Sequence, residues 1–494
     1  MWKRVAPFGV GLVAMAARLA LLPARPIPEP AVHDEFAYLL GAETFCLGRV
    51  TNPAHRMWVH FETSHEIMRP TYASKYPPAQ SLILALGWKV LGRPWYGVWL
   101  SCGLMCGALC WMLQGWVPGR YAVLGGLMAA AQWGVAGNWV NSYMGGAVAA
   151  AAGAVVVGAV PRLARRMTTS VVLLGAVGVV VLANSRPYEG TLMTVGAAAV
   201  WWAWPGRNAA RWGAVAAGVA VLACGGLATC YYNYRITGSA AVMPYVLYQA
   251  QYGASPVWWW VPRGLSPIYR HEEIRRLWEV WDKSFYDAAR ANPVHLVGVF
   301  VGMLRYFLNP ISAMALFAAV FLRWGRKVRM ALAMVAFPVV GMLLERYSLP
   351  HYFAPATGGV LVLTMLGMQY VRAQFGARGL AVIAALFFGV AGYDAGRLTA
   401  DEYPHSRFTA QRLAAIRRME GAGGRHLAVV RYGADHDVLE EWVYNRADVD
   451  GSAIVWARDM GEAGNRELLE YYRERKVWLV EADGGAGPVA YGSR

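Results

Sequence analysis

Charge is what this sequence has least of. Asp, Glu, Lys and Arg make up 15% of its 494 residues, where an ordinary soluble domain carries ~25%, and that shortfall excludes a soluble globular enzyme. Carboxylates are scarcer than cations, 30 against 46, and cysteines number six. Cys102, Cys106 and Cys110 recur at helical spacing inside one apolar run and Cys224 and Cys230 share another, so they read as small packing residues. The absence of CxxC or Cys/His spacing removes a disulfide framework and a standard zinc motif. Disorder is excluded by what is abundant, since 57% of the chain is apolar and it holds 22 Trp and 26 Tyr.

What is present is a series of long apolar runs, the mark of a polytopic membrane protein. A spanning helix needs ~20 mostly apolar residues, and the runs that meet or approach this are 5–23, 95–115, 120–138, 143–161, 169–184, 189–205, 212–232, 294–322, 328–347, 353–371 and 379–396. The first is read as an uncleaved span rather than a signal peptide, because Arg18 interrupts its small-residue stretch. Residues 77–92 are also apolar, but they are short, open with Pro77-Pro78 and carry Lys89. Cationic clusters mark cytoplasmic loops: Lys3/Arg4, Arg162/Arg165/Arg166, Arg207/Arg211, Arg323/Arg326/Lys327/Arg329 and Arg372/Arg378. All fall on one side only if 77–92 lies along the outer interface. The expectation is eleven spans, with the N-terminus inside and the C-terminus outside.

With this topology the fourteen carboxylates before residue 400 lie on the outer side or at outer helix ends. A cytosolic nucleotide-sugar or ATP site would need acids inside to hold Mg²⁺, so the chemistry faces outward. Two outer loops, 24–94 and 233–293, exceed what a connection needs. The tail, 401–494, carries 13 cations and 16 acids against 33 and 14 before it. Its strand-like runs at 425–432, 452–457 and 477–482 and a helical stretch at 462–475 suggest a small α/β domain. The excess positive charge thus belongs to the membrane part, where it meets lipid, and nucleic acid is not an expected partner.

The first outer loop begins His33-Asp34-Glu35-Phe36-Ala37-Tyr38 just after the first span and ends Lys75-Tyr76-Pro77-Pro78 before the interfacial segment. Further on stand Asn141-Ser142-Tyr143-Met144, Ser185-Arg186-Pro187-Tyr188-Glu189-Gly190 and Arg346-Tyr347-Ser348-Leu349-Pro350. In order and sidedness this layout resembles the GT-C superfamily of integral-membrane glycosyltransferases, in its protein O-mannosyltransferase and aminoarabinose-transferase branch. There an acidic pair follows the first span and a Lys-Pro-Pro element precedes a juxtamembrane helix; Tyr76 interrupts that element here. The tail lacks the sugar-binding repeats of eukaryotic protein mannosyltransferases.

The resemblance implies an all-α membrane domain over 1–400 with juxtamembrane helices in its first outer loop. It also implies transfer of a sugar from a polyprenyl-phosphate donor to a glycan, lipid or protein hydroxyl, at the periplasmic face of a bacterial inner membrane. Asp34, then Glu35, is the expected base; Lys75, Arg186 and Arg346, with Tyr76, His351 and Arg305, are expected to hold the lipid phosphate or substrate. No cofactor is required, although His55, His60, Glu62, His65 and Glu66 are dense enough to bind a divalent metal. Plainer roles exist for each: Asp34 and Glu35 suit a helix N-terminus, Lys75 and Arg346 suit snorkelling anchors, Arg186 suits an ion pair with Glu189, and Trp258-Trp259-Trp260 suits an interfacial belt. The rival function is a transporter of lipid-linked saccharides.

Overall fold

A computed structural model describes residues 2–206, 211–346, 349–400, 406–485 and 487–492. Arg207 of the expected cationic cluster, Tyr347 and Ser348 of the expected motif, and the start of the tail at 401–405 lie outside the described residues. The chain is mostly helical, and it is an integral membrane protein by the length and composition of its helices. Among the described residues four helices are long and apolar enough to cross a bilayer: Trp95–Trp116, Gly146–Arg165, Trp212–Thr237 and Ala354–Gly396. The last is broken at Gly376, where φ is 69°, between the two runs expected to span separately.

The run 294–322 does not form one straight span. It folds as Val294–Phe307 and Pro310–Leu322, bent by 108°. Pro310 has no N–H to continue the first helix, and Asn309 caps the second by accepting from the Ser312 amide at 2.9 Å. In the core of the bundle Arg18 is fully buried, donating to the carbonyls of Arg25 and Pro26 and, at 2.9 Å, to Asn141 Oδ1. This charge inside an apolar run is therefore a pin between the first helix and the segment before Gly146–Arg165.

Glycine contacts set the position of the first loop. Helix Pro78–Leu91, the expected interfacial element, crosses Trp95–Trp116 at Gly87 and Gly97, where a Cβ on either would meet the other's backbone region at about 2.0–2.1 Å. It crosses helix His33–Cys46 at Gly41, and Ser81 Oγ there donates to the Tyr38 carbonyl at 2.9 Å. Leu82, Leu86 and Val90 remain exposed on Pro78–Leu91, a face suited to lipid. The loop also forms a small antiparallel sheet, Asn52–Pro53, Thr71–Ser74 and Glu66–Ile67, with Thr71–Ser74 in the middle.

In the tail, strands Ile454–Arg458, His426–Arg431 and Lys476–Glu481 pair in parallel in that spatial order, and Val489–Ala490 closes the edge antiparallel. Helix Gly461–Tyr471 makes one crossover. Successive side chains take opposite faces, so Leu427, Val429, Val455 and Ala457 pack on Leu40, Met57, Phe61, Met68 and Tyr72 of the first loop. Ala428, Val430, Trp456 and Val480 pack on helix Ser406–Gly421 and on Phe36. Both faces are covered, which is why the strands read as near-continuous apolar runs.

Arg458 locks this docking. Its side chain is buried, donating through Nε to the Glu62 carbonyl at 2.7 Å, to Glu273 of the second loop at 3.2 Å and to Glu441. Removing one partner of a buried ion pair costs about 3–5 kcal/mol because the other charge is left stranded. Arg458→Ala should lower the unfolding temperature of the purified protein and expose the tail to protease. Arg458→Ala with Glu441→Ala should recover part of the loss, and an unchanged digestion pattern in the single variant would contradict the role.

Candidate active site beside the first helix end

Asp34 and Glu35 sit in the first turn of His33–Cys46, about 100° apart around the helix, and their environments differ accordingly. Glu35 turns back to the backbone. Its oxygens accept from the amides of Ala31 at 2.8 Å, Val32 at 3.3 Å and Tyr143 at 2.9 Å, tying the helix start to the segment before Gly146–Arg165. Burial outweighs these bonds and pushes its carboxyl above the ordinary range. Glu35 is thus a clamp on the local backbone rather than a group presented to a ligand.

Asp34 faces the other way. Its carboxylate accepts a close hydrogen bond from the Tyr76 hydroxyl, and His65 Nδ1 lies 3.6 Å away. Burial pushes the Asp34 carboxyl up, but the Lys75 charge and the Tyr76 hydrogen bond together hold it below the usual carboxylate range. Asp34 is therefore ionised at neutral pH. His65 has φ 68°, a left-handed conformation that costs a non-glycine residue roughly 1–3 kcal/mol. Two backbone bonds secure it: its N–H donates to Tyr248 Oη at 2.7 Å and its carbonyl accepts from the Lys75 amide at 3.2 Å.

Lys75 follows strand Thr71–Ser74 and is buried. Its ammonium sits against four rings, Tyr248 at 4.9 Å, Tyr76 at 5.0 Å, Tyr245 at 5.2 Å and Trp278 at 5.7 Å. Burial pushes the Lys75 pKa down to about 7 against the pull of Asp34 and Asp282, and Arg346 and Arg186 push the same way as burial. Arg346 is pinned. It donates to Asp282 Oδ1 at 2.7 Å and to the Ser255 and Pro256 carbonyls, and burial raises the Asp282 carboxyl to about 6 despite Arg346 and Lys75. Arg186, half-buried just before Pro187 at the start of Pro187–Trp202, lies 4.7 Å from the Tyr352 ring. His351 packs on the same ring, and burial with the Arg186 charge lowers its pKa to about 3, leaving it neutral.

A cavity of about 300 Å³ is lined by Lys75, Tyr76, Arg186 and Arg346, by Glu189 and Glu345, and by the apolar Met243, Val246 and Val257. Asp34 reaches this lining through Tyr76. His351 stands next to it through Tyr352, whereas Arg305 is exposed on Val294–Phe307 and does not line it. Trp258 lines the cavity and bridges to the backbone of Glu345, so that part of the tryptophan run is wall rather than belt. Among the described residues no three His, Cys, Asp or Glu side chains converge as metal ligands. His55 turns to Asp450, His60 to the Gly464 carbonyl, Glu62 to Tyr252 and Glu66 to Tyr72.

Sequence reasoning placed His65 only among metal candidates and gave Asp282 no individual role. Nothing in the local sequence marks a left-handed histidine, and the Arg346–Asp282 pair joins residues 64 positions apart. The aromatic cage was equally hidden, since Tyr245, Tyr248 and Trp278 come from the second loop and Lys75 from the first.

The fold is similar to those of solved ArnT and oligosaccharyltransferase structures. The chain superposes on ArnT from Cupriavidus metallidurans bound to undecaprenyl phosphate with a TM-score of 0.52, at 12% identity, covering 96% of this chain and 89% of that one. The apo form of ArnT gives 0.50 at 13% identity, over 95% and 92%. The Archaeoglobus fulgidus oligosaccharyltransferase in complex with Zn and sulfate gives 0.50 at 10% identity, over 96% and 67%. No protein-family profile and no curated protein sequence matches the chain.

The Lys75 environment makes its amine titrate far below an ordinary lysine. Below about pH 7 it holds its proton, and above that the free amine is nucleophilic. Limited acetylation read by peptide mass spectrometry should give half-maximal modification of Lys75 near pH 7, against about 10.4 for a solvated lysine. Asp34→Asn removes a charge that favours the ammonium, so the midpoint should fall further. A wild-type midpoint at the ordinary lysine value would contradict the cage.

Proposed function

We propose that this chain is a membrane glycosyltransferase that moves a sugar from a polyprenyl-phosphate-linked donor to an acceptor hydroxyl. The observation that carries the reading is the cavity itself: Lys75, Arg186 and Arg346 line it together with apolar side chains, and the ionised Asp34 is hydrogen-bonded to Tyr76 of the same lining. An anionic headgroup on a hydrocarbon chain fits such a surface better than a free sugar does. The GT-C fold shared with ArnT bound to undecaprenyl phosphate agrees with it.

In the proposed step the acceptor oxygen attacks the anomeric carbon and gives its proton to Asp34. The bond from that carbon to the phosphate oxygen breaks, and the polyprenyl phosphate leaves with the electron pair. Negative charge grows on the leaving phosphate as the bond breaks, and preplaced cations in a dry site stabilise that charge more in the transition state than in the ground state. Attack opposite the leaving group inverts the anomeric centre. The cationic clusters around 162–166 and 323–329 support a cytoplasmic assignment for those loops. We therefore place the site at the outer face, the periplasmic side of a bacterial inner membrane, in an eleven-span arrangement.

The test uses purified protein in lipid with radiolabelled polyprenyl-phosphate sugars and a membrane extract as acceptor. Asp34→Asn should cut transfer by roughly 10²–10⁴ while still binding the donor lipid, and Lys75→Met should weaken donor binding. Donor binding without transfer by the wild type would favour a transporter of lipid-linked saccharides; transfer undiminished in Asp34→Asn would remove Asp34 as the base.

A further inference from the structure

A second recess, of about 390 Å³, opens between the first and second loops and shares no lining residue with the cavity above. Its wall includes Trp58, Glu62, Arg69, Tyr252, Tyr269 and Arg270, and through Arg69 and Gln251 it continues into an open groove beside His55 and Arg56. The size is that of a small-molecule site.

The charges in it are arranged unusually. The guanidinium groups of Arg69 and Arg270 both lie against the Trp58 ring, at 4.9 and 4.8 Å from its centre. Sharing one indole keeps two exposed cations within about 10 Å of each other, where each gains from the ring and repels the other. Among the described residues no carboxylate lies within ion-pair distance of Arg69, and Arg270 has only Glu62 at 3.6 Å, with half of its own side chain exposed. Glu62 is 2% exposed. One of its oxygens accepts from the Tyr252 hydroxyl at 2.8 Å. The other accepts no hydrogen bond: His271 Nε2 is 3.4 Å away and donates instead to the Val59 carbonyl at 2.8 Å. Burial raises the Glu62 carboxyl above its ordinary range.

We propose that this recess binds an anionic saccharide, its acidic group held by Arg69 and Arg270 and a ring hydroxyl donating to the Glu62 carboxyl where it lines the recess. A bare anion would use the two arginines but would bring nothing to donate to the Glu62 carboxyl in the same lining. A neutral sugar would use Glu62 and leave two adjacent cations uncompensated. A ligand carrying both an acid and hydroxyls serves all three, and the half-buried Tyr269 with the exposed Ile268 offers an apolar rim for the C–H face of a pyranose. Bound there, it would touch the segment that holds Asp34. Glu62 and His65 belong to the same turn of the first loop, and Tyr252 packs on Tyr248, whose hydroxyl accepts from the His65 amide. Assigning the ligand as a remote part of the acceptor rests on the glycosyltransferase reading; the binding itself does not. Remote binding energy is a common way to position a reacting hydroxyl.

The experiment is calorimetric titration of the full chain in lipid nanodiscs with tetragalacturonate and, separately, maltotetraose, each also titrated into empty nanodiscs. Undecaprenyl phosphate binding is measured on the same preparations. Tetragalacturonate should bind, and maltotetraose should bind at least about tenfold more weakly. Arg69→Gln with Arg270→Gln, both at exposed positions, should weaken tetragalacturonate by about tenfold or more and leave undecaprenyl phosphate affinity unchanged. Equal affinity for the two saccharides, or no effect of the double variant, overturns the proposal. Saccharide binding without undecaprenyl phosphate binding upholds the recess and counts against the glycosyltransferase reading. Undecaprenyl phosphate binding without saccharide binding overturns the recess alone.

Discussion

Burying a lysine among aromatic rings is the constraint around which the first and second loops are built. Ring faces attract a cation but offer no lone pairs, so they soften the desolvation of Lys75 without accepting its N–H donors, and among the described residues no acceptor is hydrogen-bonded to that ammonium. Of the nearby carboxylates, Asp282 is engaged with Arg346 and Asp34 with Tyr76, while Glu189 and Glu345 share the cavity lining. A fold optimised only for stability would fill this space with apolar side chains, because buried ionic groups seldom repay their desolvation. Retaining three cations around one cavity makes physical sense when an anion is to be received there.

The tail helps to hold this arrangement although its sheet lies outside the helical bundle. His33, next to Asp34, is fixed by it on both ring nitrogens. The Val438 carbonyl can only accept, so Nε2 carries the hydrogen at 2.8 Å, and Nδ1 then accepts from the Tyr444 hydroxyl at 2.5 Å. Burial lowers the His33 pKa and favours this neutral form. Tyr444 also stacks on Phe36, with ring centres 4.1 Å apart, and Glu43 receives Arg446 and the Ala447 amide. The first and third turns of His33–Cys46 are thereby braced by the tail, and the helix that carries Asp34 is positioned from both ends.

How much of this was legible in the sequence depended on the range of the interaction. The short apolar runs of the tail are a local signal, and His426–Arg431, Ile454–Arg458 and Lys476–Glu481 fall within a residue or two of the expected runs. Order and sidedness were enough to bring Lys75, Tyr76, Arg186 and Arg346 to one cavity. Sequence did not separate Asp34 from Glu35, because neighbours on a helix point in different directions and only the surrounding backbone decides which is clamped. The 108° bend at Asn309-Pro310 interrupts the run 294–322, which its apolar composition presents as a single span. His65, the aromatic cage and the Arg346–Asp282 pair depend on loops meeting across the fold, and no local periodicity encodes such meetings.

Asp34 and Lys75 also titrate as a linked pair, and the linkage has a direction. Each stabilises the charged form of the other, which holds the Asp34 carboxyl below the usual range and makes it a weaker base. A phosphodiester arriving against Lys75 adds negative charge near Asp34. Like charge raises a carboxyl pKa; it also draws the lysine toward its protonated form, which offsets part of that rise. The proposed donor would thus strengthen the base that its own reaction requires. As the glycosidic bond breaks, the diester becomes a monoester with charge approaching about −1.5 to −2, and the effect on Asp34 grows in step with the proton it must accept. Leaving-group stabilisation and base strength then rise together along the reaction coordinate, because both are set by the charge on one phosphate.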